Sequence, residues 1–113
     1  MKIQDYLKQR KMMCDVSFGT YFAEKYGVQE LPESFNTTRP EWMRQIHKEY
    51  LEAGAVLLRT NTFAANRRTL GCGEEGLREN IRAAWENVLQ AAAECGREQG
   101  EDCFPAGDIG PLP

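Results

Sequence analysis

The sequence predicts an α/β fold built on a parallel sheet, and three observations predict it. Short runs at Met12–Cys14, Ala55–Arg59 and Asp102–Ala106 are too brief for helix cores and fit strands. Helical patterns separate them, so the order is strand, helices, strand, helix, strand, which is the order of right-handed crossovers onto a parallel sheet. The run Val56-Leu57-Leu58 is apolar throughout, as a strand covered on both faces must be. A helix expected after the third strand is missing, and a closed (β/α)8 barrel takes about 250 residues. At 113 residues the chain therefore matches the N-terminal portion of a TIM-type barrel, about three βα units, with residues 1–113 forming an incomplete domain that holds strands one to three.

The elements follow in order. Residues 2–10 place Ile3, Tyr6, Leu7 and Arg10 on one helical face and lead into the first strand, which ends at Asp15. Val16 to Thr20 is a tight turn that opens a short helix through Tyr21, Phe22 and Lys25, ended by Gly27. Residues 31–37 are loop, broken by Pro32 and Asn36. Thr38 to Glu41 spells a capping box with Pro40 in the first turn, so a helix starts near Pro40. Trp42, Met43, Ile46, Tyr50 and Ala53 form its apolar face, and Gly54 stops it. A polar loop follows the second strand. A longer helix then runs from about Glu74 to Gln99, with Leu77, Ile81, Trp85, Val88, Ala92 and Cys95 at a 3.6-residue period and Gly96 and Gly100 weakening its end. Pro105 removes a ladder donor from the third strand.

Composition narrows the function classes. The net charge is −3, the pI is near 5.2, and the basic residues are scattered, which gives no electrostatic footprint for nucleic acid. No apolar stretch approaches membrane-spanning length and the N-terminus carries no apolar core of its own, so a cytoplasmic protein is expected. Cys14, Cys72, Cys95 and Cys103 lie far apart, without the close spacing of a local zinc site or redox pair, and are expected as reduced thiols. The sequon at Asn36 is expected to serve the helix start rather than glycosylation.

Strand ends are where such sheets place ligands. Asp15, at the first, can pair with an amino group or serve as a turn aspartate; Ser17 and Phe18 follow in the same turn. Thr60, Asn61 and Thr62 follow the second and can line a pocket or fix loop geometry through bonds to backbone. Asp108, after the third, can attract an ammonium group or cap a turn. Phe63 is expected in the core, and His47, bordering an apolar helix face, is expected to be structural. Gly71 to Gly76 matches G-x-G-x-x-G, but no strand directly precedes it and two glutamates would repel a pyrophosphate.

Three segments, DVSFGTYF from Asp15, PEWMRQIHKEYLEAGAVLLRTNTFAANRRTL from Pro40 and AGDIGPLP from Ala106, resemble the homocysteine S-methyltransferase family, in order and separation. Bacterial forms fused to a methylenetetrahydrofolate reductase are especially similar. The resemblance implies a barrel that binds homocysteine at the strand ends, with Asp15, Ser17, Phe18, Thr60, Asn61, Thr62 and Asp108 as candidate substrate-binding residues and a methyl donor as second substrate. It also implies zinc, which would convert the homocysteine thiol to a thiolate nucleophile.

The chain departs from that family in three places. The family's zinc cysteines lie in later strands and none of the four cysteines here matches them, so no catalytic or metal-binding residue is assigned and the chain alone is expected to be inactive. Val16 stands where a glycine is usual, and a valine can block a positive-φ backbone or crowd the substrate. Asp108 stands where a serine is usual. The alternative expectation is a non-catalytic fragment or interaction module, whose strand edges pair with another chain, with a second copy of itself or with missing barrel segments.

Overall fold

The computed structural model describes residues 1–112; Pro113, the last residue of the AGDIGPLP segment, lies outside the described residues. Helix α1 covers Ile3–Gln9 and α2 covers Phe18–Tyr26. A 3₁₀ turn at Pro32–Phe35 precedes α3 at Pro40–Glu52. Strand β1 at Leu57–Arg59 is followed by a one-turn helix α4 at Arg67–Leu70, then by α5 at Glu74–Glu94 and β2 at Phe104–Ala106.

β1 and β2 pair in parallel, Leu57 with Phe104, Leu58 with Pro105 and Arg59 with Ala106. Pro105 costs this ladder nothing. The Phe104 N–H donates to Val56 at 2.8 Å, so by strand alternation the proline nitrogen falls on the opposite edge. The expected first strand is reduced to one parallel bridge, Cys14 with Leu57, although the Met13 carbonyl accepts from both Val56 and Leu57.

The core lies between the sheet and the pair α3 and α5. Leu51, Leu58, Val88 and Cys103 are fully buried there, beside Ala55 and Ala92. A second cluster of Phe22, Met43 and Ile46 joins α2 to α3, with Tyr26 stacked on Trp42 at 4.4 Å. Under the sheet, Tyr6 of α1 meets Phe104 edge-on at 5.3 Å and packs with Val56, while Ile3 and Leu7 of the same helix stay exposed.

Several expectations are corrected. α3 starts at Pro40 as its first-turn proline requires, but its cap is Arg39 with no side-chain bond, because the Thr38 hydroxyl turns back to the Ser34 carbonyl at 3.4 Å. Leu51 rather than Ala53 completes its buried face. α4 was absent from the sequence reading; Asn66 caps it by accepting the Thr69 N–H at 2.8 Å. α5 ends at Glu94 because Gly96 takes a left-handed φ of 66°. Its buried face is Asn80, Ala84, Asn87, Val88, Ala91 and Ala92, while Ile81 and Trp85 are exposed. Alanines there let α5 lie close against α3, and the asparagines find partners described below.

His47 is fully buried, with its ring 5.1 Å from that of Phe18 and neither ring nitrogen bonded to protein. Burial lowers its pKa from 6.5 to about 4. Protonation therefore favours the unfolded chain: this residue's contribution is complete above pH 6.5 and is lost as the pH falls toward 4. The loss is about 3 kcal/mol. Urea denaturation of the wild type and of His47→Leu at pH 7 and pH 4 should show a smaller drop in the variant by about that amount; equal drops would refute the assignment.

Candidate functional site

The carboxyl ends of the strands open onto a cleft of about 390 Å³. Asp15, Ser17, Phe18, Thr60, Asn61 and Asp108 line it, so six of the seven residues proposed from sequence share one wall. Thr62 lines a neighbouring apolar cleft with Thr60 and Asp108. Arg59, Glu33 and Phe63 also line it, with Gly19, Leu31, Pro32 and Ala64. Arg59 and Glu33 carry no motif that marks them in the sequence, and Phe63, expected in the core, is 56% exposed.

Asp15 is buried and already engaged. Its carboxylate accepts from the Arg59 backbone N–H at 3.2 Å and from Arg59 Nε at 3.2 Å, while Arg59 Nη2 donates to the Asp15 carbonyl at 3.2 Å. Burial pushes its pKa up, and the hydrogen bonds and charge of Arg59 oppose this without cancelling it. The arginine is the residue after Leu58, so strand alternation sends its side chain back across the Asp15 turn. The left-handed residue of that turn is Ser17, with φ of 46°, and not Val16. Val16 is exposed, and its carbonyl accepts from the Tyr50 hydroxyl, so the valine blocks no positive-φ position.

The threonines close a ring. The Asp108 N–H donates to Thr60 Oγ1 at 3.3 Å, the two threonine hydroxyls lie 2.7 Å apart, and Thr62 Oγ1 donates to the Asp108 carbonyl at 2.7 Å. Since each hydroxyl has one proton, Thr60 must donate to Thr62. Both side chains therefore fasten the β1 loop to the β2 loop. Gly110 completes the clasp: its N–H donates to the Phe63 carbonyl at 3.0 Å, and a Cβ there would lie 2.3 Å from that oxygen.

Asn61 contributes backbone to the cleft, because its side chain faces inward. Its Nδ2 donates to Asn36 Oδ1 at 3.0 Å and lies 3.3 Å from the Met43 sulfur. Asn36 Nδ2 donates to the Asn61 carbonyl at 2.9 Å and to Asn80 Oδ1 at 3.0 Å, and the Asn36 carbonyl accepts from Asn87 Nδ2 at 3.2 Å. Asn80 Nδ2 in turn donates to the Glu33 carbonyl at 2.9 Å. Asn36 is fully buried, so it is a structural hub and neither a helix-start residue nor a surface sequon. Its weak signal in sequence was an amide between breakers, matched by Asn80 and Asn87 seven residues apart on one helix face.

Zinc finds no seat here. Among the described residues no three His, Cys, Asp or Glu side chains come together as a metal site. Cys103 is buried, and burial pushes its thiol up to about 11, against thiolate formation. Neither is a dinucleotide loop formed: Gly71 and Gly73 lie in the turn between α4 and α5, directly after a helix rather than a strand.

Comparison with known proteins adds three findings. Residues 12–113 match the family model described as homocysteine S-methyltransferase. Methionine synthases from Mycobacterium leprae and Mycobacterium tuberculosis are 39% and 38% identical over 72 and 74 residues, covering 58% and 59% of this chain. The S-methylmethionine–homocysteine S-methyltransferase BHMT2 of Pongo abelii is 33% identical over 72 residues, or 62% of this chain. These matches span 6% of each methionine synthase and 17% of BHMT2. The metallated form of the homocysteine methyltransferase MmuM from Escherichia coli superposes with a TM-score of 0.78 at 21% identity, over 97% of this chain and 41% of that one. That likeness is one of fold: an α/β arrangement resembling part of the larger enzyme.

Two substitutions test the wall. Asn36→Ala leaves the Asn61 side-chain amide, the Asn61 carbonyl and Asn80 Oδ1 without their Asn36 partner in the interior, while the Asn87 bond to the residue 36 carbonyl is kept, and should cost about 3 kcal/mol in urea denaturation. Gly110→Ala should cost about 2 kcal/mol by forcing the β1 and β2 loops apart, and hydrogen exchange should show faster exchange of the Gly110 amide donor; unchanged exchange would mean the clasp is not formed.

Proposed function

Because the chain belongs to the homocysteine S-methyltransferase family, we propose that it forms the N-terminal, homocysteine-binding part of a (β/α)8 barrel that methylates the homocysteine sulfur to give methionine. The observation that carries the proposal is the cleft at the strand ends, into which six residues proposed from sequence converge. Its wall suits an amino acid. The amino end of α2 presents backbone N–H groups at Phe18 and Gly19 beside the cleft, a favourable place for a carboxylate. Glu33 and Asp108 also line the cleft and suit an ammonium group. Thr60, Thr62 and Asn61 hold the two loops in place and leave backbone to face the ligand.

Zinc supplies thiol activation in enzymes of this family. The residues of this chain do not fit the metal, so no step of that chemistry is assigned to it, and we propose that methyl transfer needs ligands from outside the described residues. The chain by itself then binds homocysteine without converting it.

Completion by further barrel segments is supported by what lies exposed. Ile81, Trp85, Ile109 and Leu112 border an apolar cleft of about 500 Å³ beside the strand ends. A partner chain or a second copy covering that face is the alternative reading, and sizing of the dilute protein separates a monomer from an assembly.

The test is direct. Purified 1–113 should bind L-homocysteine in calorimetry and form no methionine with zinc and S-methylmethionine, methyltetrahydrofolate or S-adenosylmethionine. Zinc-dependent methionine formation by this chain alone would overturn the division of labour; absence of homocysteine binding in the native-length protein would overturn the function.

A further inference from the structure

The two faces of the sheet are covered unequally. Leu58 is fully buried with Leu51 of α3 and Val88 of α5 on one face. Leu57 and its partner Phe104 belong to a different cluster, with Tyr6, Val56 and Met12. A barrel carries its helices outside the sheet, so this second face is the one that looks inward, and barrel interiors are filled by side chains. Here α1 supplies the filling.

The contacts of α1 lie at the amino ends of the strands. Tyr6 meets Phe104, the first residue of β2, edge-on at 5.3 Å and packs with Val56, the residue before β1. The Met1 ammonium pairs with Glu101 at 3.2 Å, in the turn that leads into β2. The cleft begins at Arg59 and Thr60, and Thr60 is four residues beyond Val56, about 13 Å at the rise of a strand. α1 therefore stands at the end of the sheet opposite the cleft.

Only part of its apolar surface is used. With each residue turned by about 100°, Tyr6, Ile3 and Leu7 form one stripe, and Gln4, Asp5, Lys8 and Gln9 take the rest of the circumference. Tyr6, at one margin, is 3% exposed, whereas Ile3 and Leu7 are 41% and 54% exposed. A seven-residue helix with no side-chain cap bond is too short to be held by its own hydrogen bonds, so its place depends on what that stripe meets.

We propose that α1 is a plug: Ile3 and Leu7 dock on the amino ends of further strands of the same barrel and close the mouth opposite the cleft, so that ligands enter from the cleft end alone. The stripe is continuous with the seat that Tyr6 already occupies on two adjacent strands, and the fold of MmuM, of which this chain covers 41%, continues well beyond the part matched. A second copy is the poorer occupant, since two half-exposed side chains fall far short of the roughly 800 Å² per partner that a stable dimer buries. The inference rests on the barrel reading of the proposed function.

The experiment is maleimide labelling of Ile3→Cys, Leu7→Cys and, as a control on the polar side, Lys8→Cys, mapped by peptide mass so that the native cysteines are counted apart. In the native-length protein positions 3 and 7 should label about tenfold or more slowly than in 1–113, as sites that react only on local opening do, while position 8 labels alike in both. Equal rates at positions 3 and 7 overturn the plug, as does equal protection of position 8. Protection that appears in 1–113 and grows with its concentration puts a second copy on the stripe and overturns it. A native mass of 12.9 kDa leaves no further strands to dock and overturns it as well. Calorimetry with L-homocysteine on the unmodified native-length protein reads the function separately: protected positions without binding leave the plug and remove the homocysteine reading, and binding with unprotected positions does the reverse.

Discussion

Asn36 sits where three elements must agree. Its side-chain amide binds the β1 loop through Asn61 and the helix α5 through Asn80, and its carbonyl takes a further bond from Asn87. Buried amides left without partners are costly, so the 3₁₀ turn, the strand-end loop and the long helix hold one mutual register. The cleft inherits its shape from that register. Glu33 lies three residues before Asn36, on the same 3₁₀ turn, and reaches Ala64 of the loop that Asn61 anchors.

A second constraint works along the sheet. The parallel pairing of β1 with β2 delivers Thr60 and Asp108 to the same end, and the ring of Thr60, Thr62 and Asp108 then locks the loops together. The polar residues lining the cleft are thus mostly spent on one another. What remains available is a set of backbone amides at α2 and the carboxylates of Glu33 and Asp108, the Arg59 guanidinium being held by Asp15. Under the proposed function, recognition in this wall is a matter of fixed charges rather than of flexible side chains, which limits the entropy lost on binding.

Much of this was legible in the chain before folding was considered. Gly54 and Gly27 stop helices as glycines with positive φ do, and Pro40 opens α3 as a first-turn proline does. The strand-end residues gather because a parallel sheet sends all its carboxyl ends one way. Illegible were the roles within the gathering. Asn61 and Asp15 have the chemistry to bind a ligand, yet each is already occupied by a residue distant in sequence, Asn36 and Arg59. The face of α5 misled for a related reason: periodicity weights Ile81 and Trp85 as core, but the buried stripe combines alanines and Val88 with Asn80 and Asn87, whose partners lie on another element.

The sequence by itself determined the order of elements, the parallel sheet and the place of the cleft, because turn glycines, apolar runs and strand direction are local or topological properties. It also carried the family, through motifs that span nearly the whole chain. Only the tertiary structure decided which polar groups are free. Hydrogen-bond capacity is a property of each residue, but its use depends on neighbours brought together across the fold, and at Glu33 that fold leaves one oxygen unpaired.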